Sequence, residues 1–420
     1  MKKIFSLAVA LFISTNIFAQ IAVYDSVTMG NGYANQIFYS MQNGEVSNAP
    51  NNNWELAFTT YFMGANAWTN SAQGVALYLI PNTDTSGFSS VDTTGYLSWQ
   101  MLNNSDTTWN IGAFNQNISG LYDYGWGAYS MTTNTVEGDS LFLVRFGMAP
   151  YTFKKFWLKK KDINGSWVFR YANLDNTGDV TDTILLTNYS GKNFSYYSLV
   201  NGTDLNREPA TSSWDITFTR YTAKVLVAGC IPAPGFFAVT GVLNNEKVVS
   251  AQANQADFAM VNSAPYISQM DSNISTIGFD WICSGVLTDS VVYFIKANGG
   301  AIWKLQFTAP APTMATGKIF FIKEQLNTGI QSVNENSTAV YVYPNPSDGN
   351  STLVVDAKQS ATATFNIYNV VGKLMAVQSA TLKAGLNLIP LNTESLSDGI
   401  YFVKNDSEKN STAIKLVITR

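Results

Sequence analysis

No histidine occurs anywhere in the 420 residues. Imidazole chemistry is therefore closed to this chain: no Ser-His-Asp or Cys-His nucleophile, no zinc site of the common His-containing types and no His-ligated haem. Two cysteines, Cys230 and Cys283, fall short of a four-thiolate metal site. In an oxidising compartment they read as one disulfide closing a loop of about 50 residues, worth about 4 kcal/mol by the chain-entropy model, with two buried free thiols as the other reading. A carboxylate pair, as in glycoside hydrolysis, survives the filter. Asp and Glu together number only 29, however, and those in loops, such as Asp123 and Asp204, read as turn residues. There is no Gly-rich phosphate loop and no nucleophile elbow, so an enzyme is not expected.

Aromatic side chains are the chemistry the chain does have in quantity, at 13% of residues with 10 Trp. The run Leu121 to Tyr129, which follows Gly120 and reads L-Y-D-Y-G-W-G-A-Y, has the composition of a loop able to stack Tyr124 and Trp126 on a flat porphyrin or sugar ring, since glycine permits close backbone approach. A tight loop packed on its own sheet is the alternative. The only basic cluster, Lys154, Lys155, Lys159, Lys160 and Lys161, is interleaved with Phe156, Trp157 and Leu158 and reads as lysines on the solvated face of a strand.

The elements around these residues are strands. Hydrophobic residues make up 46% and charged residues 13%, a composition that supports a large core and argues against disorder. A net charge of -4 gives no footprint for nucleic acid. Lys2 and Lys3 precede the apolar run Ile4 to Ile13, and Ile17-Phe18-Ala19 fits a cleavage site, so residues 1-19 read as a signal peptide. No later segment is long enough for a transmembrane anchor, and the absence of Cys at the cleavage point excludes a lipoprotein anchor.

An internal repeat organises the middle of the chain. Phe38 to Gly44 (F-Y-S-M-Q-N-G) followed by Asn52 to Tyr61 (N-N-W-E-L-A-F-T-T-Y) recurs as Tyr196 to Gly202 (Y-Y-S-L-V-N-G) and Ser212 to Tyr221 (S-S-W-D-I-T-F-T-R-Y), with Trp54 and Trp214 separated by 160 residues. Alternation of Trp, Leu or Ile, and Phe with mostly polar neighbours makes each second block a half-buried strand, and Asn-Gly ends each first block in a turn. Weaker matches link Asp139 to Arg145 with Asp289 to Lys296, Phe156 to Leu158 with Trp303 to Leu305, and Gly165 to Tyr171 with Gly317 to Ile322. The copies run over residues 20-188 and 189-327, with 328-338 as linker. Val249 to Met260 is the one stretch expected to make a short helix.

The Tyr-Tyr strand ending in Asn-Gly, W-D-I-x-F-x-R-Y at Trp214 to Tyr221, Y-F-I-K at Tyr293 to Lys296 and W-K-L-Q-F at Trp303 to Phe307 resemble the HmuY family of secreted bacterial haem-binding proteins. The resemblance implies two tandem β-rich domains that capture haem, held in that family by two axial His or Met side chains. Without histidine, the ligands expected from the resemblance are methionines, Met101 and Met131 in the first copy and Met260 and Met270 in the second, since a thioether can ligate haem iron. Methionine is also a common filler of irregular cores. The alternative function is a surface adhesin or glycan-binding protein, with haem or a glycan as the respective ligand.

Residues 339-420 carry P-N-P-S-D-G at Pro344 to Gly349, Gly372-Lys373, L-S-D-G-I-Y-F-V at Leu396 to Val403 and a terminal Arg420. Short strands are expected over Ser351 to Asp356, Thr362 to Tyr368 and from Gly399, forming a small antiparallel sandwich. The segment closely resembles the type A C-terminal sorting domain of the type IX secretion system. That resemblance implies a partner, the type IX machinery, and a location, secreted or on the outer-membrane cell surface. The whole is thus expected to be all-β: two HmuY-like repeats and an Ig-like sorting sandwich.

Overall fold

A computed structural model describes every residue except 1-21, 62-63, 163-164, 226-233, 284, 289, 310-313, 327-338, 344, 346, 348-349, 358 and 407-413. The expected signal peptide, the linker, Cys230, Pro344 and Pro346 lie outside the described residues. The chain divides into two compact units, residues 1-326 and 327-420.

Strands dominate both units. The first opens with β1 (Val23–Thr28), β2 (Asn35–Ser40), β3 (Gly44–Pro50), β4 (Leu56–Thr59), β5 (Ala67–Thr69), β6 (Ala76–Leu79) and β7 (Met101–Leu102). Next come β8 (Gly127–Ser130), β9 (Thr135–Gly138), β10 (Phe142–Phe146), β11 (Thr152–Asp162), β12 (Ser166–Ala172) and β13 (Val180–Leu185). They are followed by β14 (Phe194–Ser198), β15 (Thr203–Leu205), β16 (Ile216–Val225), β17 (Gly235–Asn244) and β18 (Val249–Ala253). The unit closes with β19 (Ile282–Cys283), β20 (Val286–Leu287), β21 (Val292–Lys296), β22 (Ile302–Phe307) and β23 (Lys318–Leu326).

The repeat is visible in the pairing, and it is interlocked. Sheet order β13-β12-β11-β10-β6 in one place matches β1-β23-β22-β21-β18 in another, and β15-β14-β4-β5 matches β3-β2-β16-β17. The first Tyr-bearing strand, β2, pairs with the second Trp-block strand, β16, while the second Tyr-bearing strand, β14, pairs with β4 of the first copy. Registers agree position by position: Tyr39 faces Ile216 as Tyr197 faces Leu56, and Ile37 faces Phe218 as Ser195 faces Phe58. Strands β4 to β15 therefore build one sandwich from a continuous stretch. The other joins β1, β2 and β3, from the start of the chain, to β16 through β23.

Burial follows the strand period. Leu56 and Phe58 enter the core of the continuous sandwich beside Trp126, Trp167, Phe169 and Tyr197. Ile216 and Phe218 enter the other core with Ile37, Tyr39, Trp281 and Phe321. The opposite faces of the two four-stranded sheets hold Ala57, Trp68, Phe194 and Tyr196 from one and Leu243 from the other in a single cluster. Buried carboxylates clasp the exchange in equivalent places. Asp215 accepts the Met41 N–H at 2.7 Å and the Asn298 N–H at 2.8 Å, and Glu55 accepts the Leu199 N–H at 2.6 Å. Burial raises the Glu55 carboxyl above its ordinary value against these hydrogen bonds.

Two local expectations are corrected. Val249 to Met260 is not a helix: Val249–Ala253 is β18, drawn into the sheet by five residue pairs with β21, and the short helix lies at Ala264–Ile267. The lysine cluster is not wholly solvated either, because Lys155 and Lys161 are buried. The Lys155 ammonium meets Asn176 and lies 5.0 Å from the Phe88 ring centroid. Burial lowers Lys161 to about 8.

The second unit is a two-sheet sandwich. β24 (Ala339–Tyr343), β25 (Asn350–Ala357) and β28 (Gly385–Asn392) form one sheet. β27 (Leu374–Leu382), β26 (Ala361–Asn369), β29 (Gly399–Asn405) and β30 (Ile414–Ile418) form the other. Leu353, Val355, Phe365, Ile367, Val403 and Leu416 fill it. The all-β class and the three strands expected in this tail are present as read from the sequence.

Candidate functional site

The residues singled out in the sequence do not converge. Met101 lies exposed on β7, Met131 in the turn after β8 and Met260 in a loop, all with their side chains largely in solvent. Met270 packs against Ala253, Val292 and Phe294. Trp126 is fully buried, donates its indole N–H to the Ala65 carbonyl at 2.9 Å and lies 5.5 Å from Trp167. Tyr124 packs on the same core. The Gly127 position explains the glycine of this loop: a Cβ there would sit 2.2 Å from the Glu137 carbonyl oxygen. The close approach is thus made to the loop's own sheet. Asp123 is a turn residue, accepting N–H groups from Ser119 and Gly125. Among the described residues no cysteine is free, and Cys283 is disulfide-bonded.

What the fold does create is a cleft, open to solvent, between the two sandwiches. One wall comes from the continuous sandwich: Trp54, Trp68, Trp109, Phe194 and Tyr196. The other carries Thr219 to Thr222 of β16 with Leu243. The aromatic wall is braced by ring contacts, with Trp54 and Tyr196 edge to face at 4.9 Å, Trp109 and Phe194 edge to face at 5.6 Å, and Trp68 and Trp109 tilted at 5.1 Å between centroids. None of the four named methionines borders it.

Its polar groups are largely engaged already. The indole N–H groups of Trp54, Trp68 and Trp109 donate to Asn51 Oδ1, the Trp109 carbonyl and the Asn244 carbonyl. Asn70 donates to the Asn51 and Trp54 carbonyls, and Asn104 to the Thr69 carbonyl. Ring faces, rather than side-chain donors, are what this wall offers a ligand.

Behind the wall sits a charged group of three. The Arg207 guanidinium lies 4.7 Å from the Tyr196 centroid and 5.7 Å from that of Trp54, and donates to Gln36 Oε1 at 2.7 Å. Buried Glu208 accepts the Tyr196 O–H and the Asn193 N–H, each at 3.0 Å. Burial pushes the Glu208 carboxyl up to about 7, against the hydrogen bonds and the nearby Arg207 and Lys192 charges that favour its ionised form. The sign follows from linkage. Above the unfolded value of about 4.5 the unfolded chain releases this proton freely, whereas the native state holds it until about 7. This group's contribution to stability therefore declines as pH rises across that window, by about 3 kcal/mol. Glu208→Gln, which mimics the protonated acid, is expected to flatten the fall in urea midpoint between pH 5 and 7.5; an unchanged slope would assign it to other groups.

Sequence reasoning missed Trp68, Trp109, Arg207 and Glu208. It also missed Asn70 and its counterpart Asn245, which donates to the Thr211 and Trp214 carbonyls just as Asn70 does to those of Asn51 and Trp54. The signal was present but displaced: Asn70 follows Trp54 by 16 residues and Asn245 follows Trp214 by 31, because the β16–β17 hairpin is longer than that of β4 and β5.

No curated protein matches the chain. The solved structure of dimeric latent PorU from Porphyromonas gingivalis aligns over 94% of this chain at 6% identity with a TM-score of 0.19, a likeness too slight to relate the folds. The aligned chain corresponds to 34% of that protein's length. Among the described residues no helix is long and apolar enough to cross a membrane. Residues 341–419 match the secretion system C-terminal sorting domain, the tail that hands a protein to the type IX machinery, and the chain is accordingly a secreted or outer-membrane cell-surface protein.

Proposed function

We propose that this exported protein is a non-enzymatic binding protein of adhesin type and that its ligand seats in the aromatic cleft between the interlocked sandwiches. The observation that carries the reading is the pair of half-buried rings, Trp54 and Trp109, bordering a cleft open to solvent. Trp54 and Trp109, each half-buried, give an exported protein rigid apolar area at low entropic cost, the usual material of a recognition site.

The haem reading rests on the likeness to HmuY-type strands, and the methionines it would use lie away from the cleft. A tetrapyrrole would have to be held there by stacking alone. Titrating the full chain with hemin, and probing glycan and peptide arrays with it, separates the ligands. Retention of any of them is expected to fall at least tenfold in Trp109→Ala. Retention indifferent to Trp109 would move the site elsewhere, and a Soret band abolished by Met101→Ala with Met131→Ala would restore the haem reading.

A further inference from the structure

β16 runs for ten residues, yet β2 pairs with it only from Ile216 to Phe218. From Thr219 onward no strand among the described residues pairs with that edge of β16. Alternation identifies which residues face that edge. Val242 of β17 exchanges both main-chain hydrogen bonds with Gly278, at 2.9 and 3.0 Å, on the side away from β16. Its cross-strand neighbour Phe218 therefore also turns its N–H and C=O away from β17, toward β2. Counting on by twos, Arg220, Thr222 and Lys224 present their main-chain groups to the open edge.

One of these three positions already shows what the edge takes. The Lys224 N–H donates to an Asp106 carboxylate oxygen at 2.7 Å, which stands where a carbonyl of an added strand would stand. Arg220 and Thr222, the next two positions, border the cleft. Among the described residues the Arg220 carbonyl receives only the hydroxyl of its neighbour Thr219, at 3.2 Å, and the Thr222 hydroxyl bonds Ser71 Oγ at 2.8 Å. Tyr221, between them, sends its ring to the opposite side of the strand plane from Phe218, into the cluster that holds Trp54 and Trp109. Main-chain donors and acceptors thus recur at strand spacing beside a pocket made of rings.

We infer that the cleft binds an extended polypeptide segment, which adds to the β16 edge at Arg220 and Thr222 and seats one aromatic or branched apolar side chain among Trp54, Trp109 and Tyr221. Strand addition of this kind draws affinity from the main chain and selectivity from the pocket. A sugar is the poorer fit, because its hydroxyls need side-chain partners and the indoles and amides of the wall are already engaged. The inference rests on the cleft being the ligand site.

The test uses the full chain and an immobilised array of seven-residue peptides with Trp, Tyr, Phe or Leu at the centre, each also made with N-methylated amides flanking the central residue. Peptides with a central ring are expected to retain the protein, and N-methylation to lower retention at least tenfold, since it removes strand hydrogen bonds without touching the side chain. Thr222→Pro is expected to act likewise from the protein side. Equal retention of N-methylated peptides would overturn strand addition while leaving the cleft as the site. Retention by glycans alone, lost in Trp109→Ala, would do the same. Retention of no peptide at all would also overturn the inference.

Discussion

A chain lacking residues 1-50 is expected to lose the cooperative structure of β16 to β23 while β4 to β15 remain folded. The reason is the exchange of strands. β1, β2 and β3 are the first strands of the chain, yet β1 lies along β23 and β2 along β16. They bury Val27, Ile37, Phe38 and Tyr39, and the turns beside them bury Met29 and Met41. At about 2 kcal/mol for each of these six side chains the loss is about 12 kcal/mol as an upper estimate, comparable with the whole stability of an ordinary domain. The deletion also removes the main-chain donor at Met41 that meets Asp215, and leaves that buried carboxylate with one partner fewer.

The other sandwich loses nothing of its own, because residues from Leu56 to Leu205 supply all of its strands. Hydrogen exchange reads the two halves separately. Protection is expected to vanish from β21, β22 and β23 and to persist in β10, β11 and β12. Adding a peptide of residues 23–50 in trans is expected to restore part of it. Uniform loss in both halves would mean that the sandwiches fold as one indivisible body; uniform retention would mean that the exchanged strands contribute little.

That interlock explains how far the sequence could be read. The duplicated blocks around Trp54 and Trp214 were legible because each keeps one phase along a strand: Leu56 and Phe58, Ile216 and Phe218, face their cores while Ala57 and Thr217 face the other way. Sequence likeness identifies which strands are equivalent, but it carries no sign of which copy each one pairs with. Tyr39 satisfies the same pattern beside Leu56 of its own copy or beside Ile216 of the other, so pairing had to come from three dimensions. The cleft was illegible for a related reason. Its wall collects Trp54, Trp109 and Tyr196 from separated stretches, and no period in the chain brings them together. Of the tail, three of its seven strands, β25, β26 and β29, were readable, because turn residues such as Gly372 and Gly399 and the alternating strands lie close in sequence.

The aromatic loop at Leu121 to Tyr129 shows where composition alone misleads, and a pair of substitutions separates its two roles. Trp126→Ala is expected to destabilise the continuous sandwich by about 3–5 kcal/mol, the range for deleting a buried Trp or Phe side chain. The indole is fully buried, its N–H is held by the Ala65 carbonyl, and Trp167 lies against it with its own N–H on the Thr59 carbonyl at 2.9 Å. Removing the ring opens a void in the core and takes from the Ala65 carbonyl one of its two donors, leaving the Asn115 amide at 2.9 Å. Tyr122, four residues earlier and 46% exposed, meets only Tyr129 at 6.2 Å among the described rings, so Tyr122→Ala is expected to stay within about 0.5 kcal/mol of the parent. Urea unfolding followed by far-ultraviolet circular dichroism measures both. If Trp126→Ala left the midpoint unchanged, Trp126 would not be a core residue and the loop would return as a stacking surface. A large loss at Trp126 with none at Tyr122 assigns the Trp126 ring to the core and removes it from the residues that could stack on a ligand.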